Sequence, residues 1–490
     1  MKLTVASLLL SLSLFGTALG ATTDDWKTRT IYQIITDRFA VNGTPGSCPN
    51  GSRDYCGGSF RGIMSKLDYI QGMGFDAVWI SPIVKNVEGQ SYHGYWAQDI
   101  NQINPHFGTA DDLKALSAEL HRRGMYLMVD VAPNHNGPQS SGAVSSDSYY
   151  SLYAPFNQKA YYHNYCTISN YNDQNNVEQC WLGSTPSDAL PDLNTENSFV
   201  TSTYYSWISN LVKSYQIDGL RVDTVKHCPR AWWPGFKSSS GVFNIGEVFS
   251  GDPAYVKPYQ DAAMDGLLNY PVYYPLQRAF QSTNRGFGEM KQMVNTIRST
   301  YRDPLAMGTF LDNHDNPRFA STVTDKMLVR NAMTYILVGD GIPVLYYGQE
   351  QDYSGGQDPY NREALWTSGY NTNTDSYKYI AAVNKLRKFV KNRADKPLTT
   401  QLTSLFDNSG SWAFNKGNML VVLSSAGQNG GTQIVSIGSS SLPAGQMTNV
   451  INCATINVNS GGSVTIQLNG GQPAIFYPSS SLGGSGICGK

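Results

Sequence analysis

The chain is short of charge of either sign. Charged residues fill only 15% of its 490 positions, and 36 Lys and Arg against 37 Asp and Glu leave a formal charge of -1. Such a balance supplies no electrostatic reason to bind nucleic acid or an anionic membrane surface, so neither is expected as a partner. Long apolar runs are missing as well. The run from Leu3 to Phe15 follows Lys2 and gives way to Ala18-Leu19-Gly20. It is too short to cross a bilayer and has the layout of a secretory signal peptide, residues 1–20, with the mature chain starting at Ala21 outside the cell. No Gly-rich phosphate loop follows the first expected strand, which argues against a doubly wound nucleotide-binding sheet. Cysteine is sparse: Cys48, Cys56, Cys166, Cys180, Cys228, Cys453 and Cys488. In a secreted chain disulfides are expected. Pairing sequence neighbours gives Cys48–Cys56, Cys166–Cys180 and Cys453–Cys488, with Cys228 left as a thiol, although spacing by itself leaves the connectivity open.

What is present is a globular composition, 41% hydrophobic, in a chain too long for one ordinary core; two or three domains are expected. The 31 Tyr and 9 Trp are numerous. Aromatic faces and hydroxyls suit a neutral, polar, flat ligand, while most such residues serve as core or rim. Asn42-Gly43-Thr44 and Asn50-Gly51-Ser52 fit the glycosylation pattern and lie in a polar loop, which makes Asn42 and Asn50 candidate acceptors.

Along the chain, apolar strands alternate with amphipathic helices. Strands are expected at Ile31 to Ile35, Ala77 to Pro82, Met125 to Val131, Gly219 to Val225, Val242 to Val248, Gly308 to Leu311 and Ile342 to Tyr347. Helices are expected at Ile63 to Met73, after Thr109 as cap, and at Thr203 to Tyr215, Met290 to Tyr301, Leu328 to Val338 and Ser376 to Val390. Strand–helix repeats over this length predict an α/β fold, a (β/α)8 TIM barrel built from 21–136 and 198–396. A polar, Tyr- and Asn-rich stretch, 137–197, interrupts it after the third strand as an inserted irregular domain. From 397 to 490 short alternating strands with Gly, Asn and Ser turns predict a C-terminal antiparallel β-sandwich.

Barrels of this kind place active groups at the C-terminal ends of strands. The polar residues there are Asp130, Asn134 and His135; Arg221, Asp223, Lys226 and His227; Glu247; and His314 and Asp315. On a strand, Arg221, Asp223 and Val225 would share one side. A permanent cation beside Asp223 favours its ionised form, which suits a nucleophile as well as a structural ion pair. Asp223, Glu247 and Asp315 close three different strands. Cleaving a glycosidic bond requires two carboxyl groups, a nucleophile or base and a proton donor, and a third can stabilise positive charge on the sugar ring.

Four stretches carry a resemblance: Asp130-Val131-Ala132-Pro133-Asn134-His135, Gly219 to His227, Gly246-Glu247-Val248, and Phe310-Leu311-Asp312-Asn313-His314-Asp315. In this order they are similar to the signature regions of the large family of retaining α-glucoside hydrolases, in its fungal secreted α-amylase branch. Tyr92-His93-Gly94-Tyr95-Trp96 and Asn361-Arg362-Glu363 extend the likeness. The resemblance implies Asp223 as nucleophile, Glu247 as general acid and then base, and Asp315 as the carboxylate holding substrate hydroxyls, with the first two roughly 5–5.5 Å apart. It implies His135 and His314 as donors to the sugar being cleaved and Arg221 as the partner of Asp223. Lys226, His227 and Gly251 would line the aglycone side, Tyr95 and Trp96 would form a stacking wall, and Asp358 and Arg362 would touch sugars toward the non-reducing end. It further implies a structural Ca2+ held by Asn134, Asp192 and the backbone oxygens of Glu178 and His227, an oxygen set suited to that ion.

Departures from the family pattern include the extra Cys228, Arg53 in place of a glutamine, Ser250 in place of an acid, and Lys257 where a later barrel cysteine would stand. The resulting expectation is endo-hydrolysis of internal α-1,4 links in starch or glycogen by a monomer. The alternatives are a transglycosylase or α-glucosidase of the same family, or a non-catalytic sugar-binding barrel.

Overall fold

The computed structural model describes residues 21–139 and 142–490; the signal peptide expected at 1–20 lies outside them. Eight parallel strands form its centre: β1 Ile31–Gln33, β2 Ala77–Ile80, β3 Tyr126–Val131, β4 Gly219–Val222, β5 Phe243–Gly246, β6 Gly266–Leu267, β7 Gly308–Phe310 and β8 Ile342–Tyr346. They pair in the order β6-β5-β4-β3-β2-β1-β8-β7. A parallel bridge from Leu268, just past β6, to Gly308 of β7 closes the ring. The expected TIM barrel is therefore present. Its strands are buried on both faces, which is why they read as unbroken apolar runs.

Inside the barrel lie Ile31, Ala77, Trp79, Met128, Phe243, Ile245, Phe310 and Val344. Trp26 forms the floor, fully buried, with its ring stacked on Phe243. A Cβ on Gly219 would stand 2.6 Å from that ring, so the start of β4 has room only for glycine. The register sets Asp130 of β3 beside Arg221 of β4, and Arg221 beside Ile245 of β5. A buried charged pair is thus aimed up the barrel axis toward the C-terminal rim.

The strand expected to run from Gly219 to Val225 stops at Val222. Thr224 adopts a left-handed conformation, φ +48°, and Val225–His227 form a 3-10 turn. Arg221 and Asp223 do meet, but Val225 packs into the apolar layer outside the barrel. The turn places Thr224, Lys226 and His227 on the rim.

The helix Ala110–Arg122 carries the expected capping box, with Thr109 accepting from the Asp112 amide and Asp112 accepting from that of Thr109. Of the elements absent from the expected set, three have a plain physical reason. Strand β6 is two residues long. The helices Pro253–Ala262 and Tyr270–Phe280 contain Pro258 and Pro275, which read locally as breaks.

Between β3 and the helix Ser198–Tyr215 the chain forms short helices around buried Tyr149, Tyr150, Tyr153, Phe156, Tyr162 and Trp181. This segment is pinned to the end of β3 by Asn136 N to Pro191 O, 3.0 Å, and Leu193 N to Asn134 O, 2.9 Å. Past residue 402 the sheet is antiparallel. Strands β9 Thr403–Asp407, β10 Ser411–Lys416, β11 Met419–Ser424, β12 Thr432–Ile437, β13 Gly445–Asn449, β14 Thr455–Val458, β15 Val464–Asn469 and β16 Ala474–Pro478 form a six-stranded sheet, β9-β10-β11-β16-β13-β14, and the pair β12-β15. The two share a separate core that includes Val422, Val435, Met447, Ile466 and Phe476.

Cys48–Cys56, Cys166–Cys180 and Cys453–Cys488 are disulfides, and Cys228 is a buried thiol. Among the described residues no helix is long and apolar enough to cross a membrane. Asn42 and Asn50 are both exposed.

Candidate active site

The C-terminal rim opens into a cleft of about 950 Å3. Asp223 and Glu247, each 7% exposed, line it together with Asp315, whose side chain is 32% exposed. Asp223 follows β4 and Glu247 follows β5, neighbouring strands, so the two carboxyl groups rise side by side. Asp315 comes from the loop after β7.

Arg221 organises this centre from below. It is wholly buried, and its guanidinium reaches three carboxyl groups: Asp130 Oδ1 at 3.0 Å, Asp223 Oδ1 at 2.5 Å and Glu247 Oε1 at 2.9 Å. One permanent cation cannot balance three buried anions, so one carboxyl group should hold a proton at neutral pH. The hydrogen bonds indicate which. Asp130 also accepts from the Tyr95 hydroxyl at 2.6 Å and the Trp79 indole at 3.1 Å. Besides Arg221, Glu247 accepts the Thr224 amide at 3.2 Å. Burial, against the pull of Arg221 and with the charges of Asp223 and Asp315 adding to it, pushes Glu247 up to about 8. Burial takes Asp130 to about 7, opposed mainly by Arg221. Glu247 is thus the group best placed to carry a proton into the cleft.

The histidines are kept neutral. Burial holds His314 well below its ordinary range, with Arg362 and Arg221 adding to the effect, and burial lowers His135. The Gln33 amide meets His314 Nδ1 at 2.9 Å, which assigns the ring proton to Nε2, 3.3 Å from Asp315 Oδ2. His135 Nε2 is buried with no protein partner, although the ring lines the cleft, and a sugar hydroxyl would satisfy it. The Tyr95 ring stacks parallel to His314 at 5.2 Å, and Trp96 stands edge-on to His93.

Lys226, His227, Asp358 and Arg362 also line the cleft. Lys226 Nζ donates to Phe249 O, and burial lowers its pKa; His227 is driven to about 3 by burial and by Lys226. Arg362 pairs with Asp358 at 3.1 Å and with Asp315 at 3.7 Å. Gly251 is not part of the lining; Ser250 and Asp252 on either side of it are, and a Cβ on Gly251 would meet the Tyr274 ring at 2.8 Å. The sequence reading had not assigned His93, Tyr171, Phe249 or Tyr255 to the cleft. His93 lies within the stretch Tyr92 to Trp96, but nothing local marks the other aromatics as rim residues.

The four residues expected to hold a cation meet in two contacts, Asn134 with Asp192 and His227, itself part of the cleft lining, with the carbonyl next to Glu178. Asn134 Nδ2 donates to Asp192 Oδ1 at 3.0 Å, and the Cys228 thiol donates to Asn134 Oδ1 at 3.4 Å. His227 Nδ1 meets Val177 O, next to Glu178, at 3.3 Å. His163 Nδ1 holds Asp192 Oδ2 at 2.6 Å. Among the described residues no cluster of three His, Cys, Asp or Glu side chains is set to hold a metal. One buried carboxylate, one amide oxygen and backbone oxygens make a hard, oxygen-only set, which fits Ca2+ and not a soft transition metal.

An eight-stranded barrel with a buried carboxyl pair on adjacent strand ends, facing an aromatic-lined cleft, is the architecture of a carbohydrate-active (β/α)8 protein. The family described as alpha amylase, catalytic domain, matches residues 33–402, and alpha-amylase, domain C, matches 404–490. The chain belongs to the α-amylase family. It is 49% identical over 463 residues to the α-amylase of Saccharomycopsis fibuligera, covering 93% of this chain and 92% of that one. It is 45% identical over 478 residues to α-amylase 1 of Schwanniomyces occidentalis, covering 95% and 92%. Among solved structures, an α-amylase from Malbranchea cinnamomea matches with a TM-score of 0.92 and 48% identity, covering 96% of this chain and all of that one.

Proposed function

We propose that this protein is an endo-acting α-amylase that hydrolyses internal α-1,4 links of starch or glycogen with retention of the α-configuration. The observation that carries the reading is Arg221 holding Asp223 and Glu247 side by side, both opening into one cleft. Glu247, protonated, donates to the glycosidic oxygen as that bond breaks. Asp223 attacks the anomeric carbon and forms a covalent β-glycosyl ester. Glu247, now a carboxylate, takes a proton from water, and the resulting attack releases the sugar with its original configuration. Asp315 and neutral His314 and His135 hold ring hydroxyls through the flattening of the sugar. A cleft at the upper end of the ~300–1,000 Å3 range typical of ligand sites has room for several sugar units, as internal cutting requires.

A time course on soluble starch tests this. Mixed α-anomeric oligosaccharides from the outset support it. Glucose alone, or products longer than the substrate, would move the reading to the α-glucosidase or transglycosylase alternative.

We further place the enzyme outside the cell as a monomer, with 137–197 as the inserted domain B, 397–490 as the C-terminal domain, and glycans on Asn42 and Asn50. Asn134, Asp192, Glu178 O and His227 O would hold Ca2+, whose role would be structural, tying the insertion to the turn that carries Lys226. Removing it with a chelator should lower Tm by several degrees and starch hydrolysis with it, and added Ca2+ should restore both. Unchanged melting, followed by circular dichroism, would count against the site.

A further inference from the structure

We propose that Arg53 is a specificity-determining residue: held against Asp358, it forms the end wall of the glycone side of the cleft and sets how many sugar units that side accepts. The proposal rests on the glycosidase reading above. In that reading the acid stands on the side of the departing oxygen. Glu247, with Lys226, Phe249 and Ser250, comes from the loops after β4 and β5, and these face the leaving chain. On an eight-stranded ring, β8 and β1 lie opposite, and their loops supply Arg362, Asp358 and Arg53. From Asp315 the contacts run outward in sequence: to Arg362 at 3.7 Å, on to Asp358 at 3.1 Å, and finally to Arg53 Nη1, 3.3 Å from Asp358 Oδ2.

The backbone that carries Arg53 is held on both sides, which sets where its side chain leaves the loop. The buried Arg38 guanidinium donates to Ser52 O at 2.7 Å and to Asp54 O at 3.0 Å. The Asp37 carboxylate accepts the Cys56 and Gly57 amides, and Cys48–Cys56 closes the loop. A second contact joins the same two loops. A Cβ on Gly51 would come within 2.6 Å of the Tyr360 ring, so that ring lies directly on the backbone. On the other side Arg362, which anchors Asp358, donates to His314 O at 2.9 Å. The Arg53 side chain is 46% exposed, with its guanidinium at the mouth of the cleft.

The test uses maltoheptaose labelled at its reducing end, with bond-cleavage frequencies measured for the wild type, Arg53→Ala and Arg53→Lys. Opening the wall in Arg53→Ala should move the most frequent cut by at least one bond toward the label, changing the ratio of neighbouring cuts about threefold or more, and Arg53→Lys should restore much of the original pattern. An exposed pair adds little stability, so the alanine variant should melt close to the wild type. An unchanged pattern in an active Arg53→Ala enzyme overturns the proposal. So does a shift away from the label, which would mean that Arg53 binds a sugar rather than excluding one. Absence of any cleavage by the wild type overturns the glycosidase reading itself and is plainly distinct from both.

Discussion

Changing Glu247 to Gln, or Asp223 to Asn, is expected to lower turnover on starch by several powers of ten with the fold intact. Each replacement keeps side-chain shape and removes one proton-transfer or bond-forming role. The two losses should differ in kind. With an α-maltosyl fluoride, whose leaving group departs without a proton, Glu247→Gln should recover much of the first step, whereas Asp223→Asn should not, since no other group can attack from the opposite face. The pH profile of the wild type provides a matching check. Glu247 must be protonated to act as acid, and burial raises it to about 8, so kcat/KM should fall as pH rises through that value. Near-normal starch hydrolysis by either variant would remove that residue from its role, and an alkaline limb near pH 5 would mean that burial does not raise the acid as far as the site's geometry implies.

Much of this site was legible in the sequence because its groups stand at the ends of strands that are themselves legible. Val222 and Gly246 belong to fully buried four-residue strands, and the residues that follow them have to emerge on the rim. The four signature stretches supplied the order. What the sequence withheld was chiefly three-dimensional. The alternation rule carried from Arg221 to Asp223 but failed at Val225, because the left-handed Thr224 reverses the chain, a conformation that no propensity assigns to threonine. Tyr171 enters the cleft through the disulfide-tied insertion, and Tyr255 from a helix whose prolines hid it. Residue type alone did not separate these two rim tyrosines from Tyr149 or Tyr204, which are buried.

The register between β3 and β4 leads to the second large effect, which concerns Arg221. Asp130, Asp223 and Glu247 converge on its guanidinium, and only a planar fork with several donors can reach all three. Replacing Arg221 with Met should leave the buried carboxyl groups without their cation. Removing one partner from a buried ion pair typically costs about 3–5 kcal/mol, so Tm should fall by roughly 5 °C or more. Turnover should fall much further than that loss of stability would suggest. Without the cation that holds it down, Glu247 is raised further, and Asp223 loses the guanidinium that fixes it at 2.5 Å, so the acid and the nucleophile lose the charge balance and the alignment on which the mechanism depends. Arg221→Lys separates the two effects: an ammonium restores one positive charge but not the fork, so it should regain much of the Tm while kcat stays about a hundredfold or more below the wild type. If the lysine variant is both as stable and as active as the wild type, a single positive charge is sufficient, and the three-way grip of Arg221 plays no part in setting which carboxyl group holds the proton.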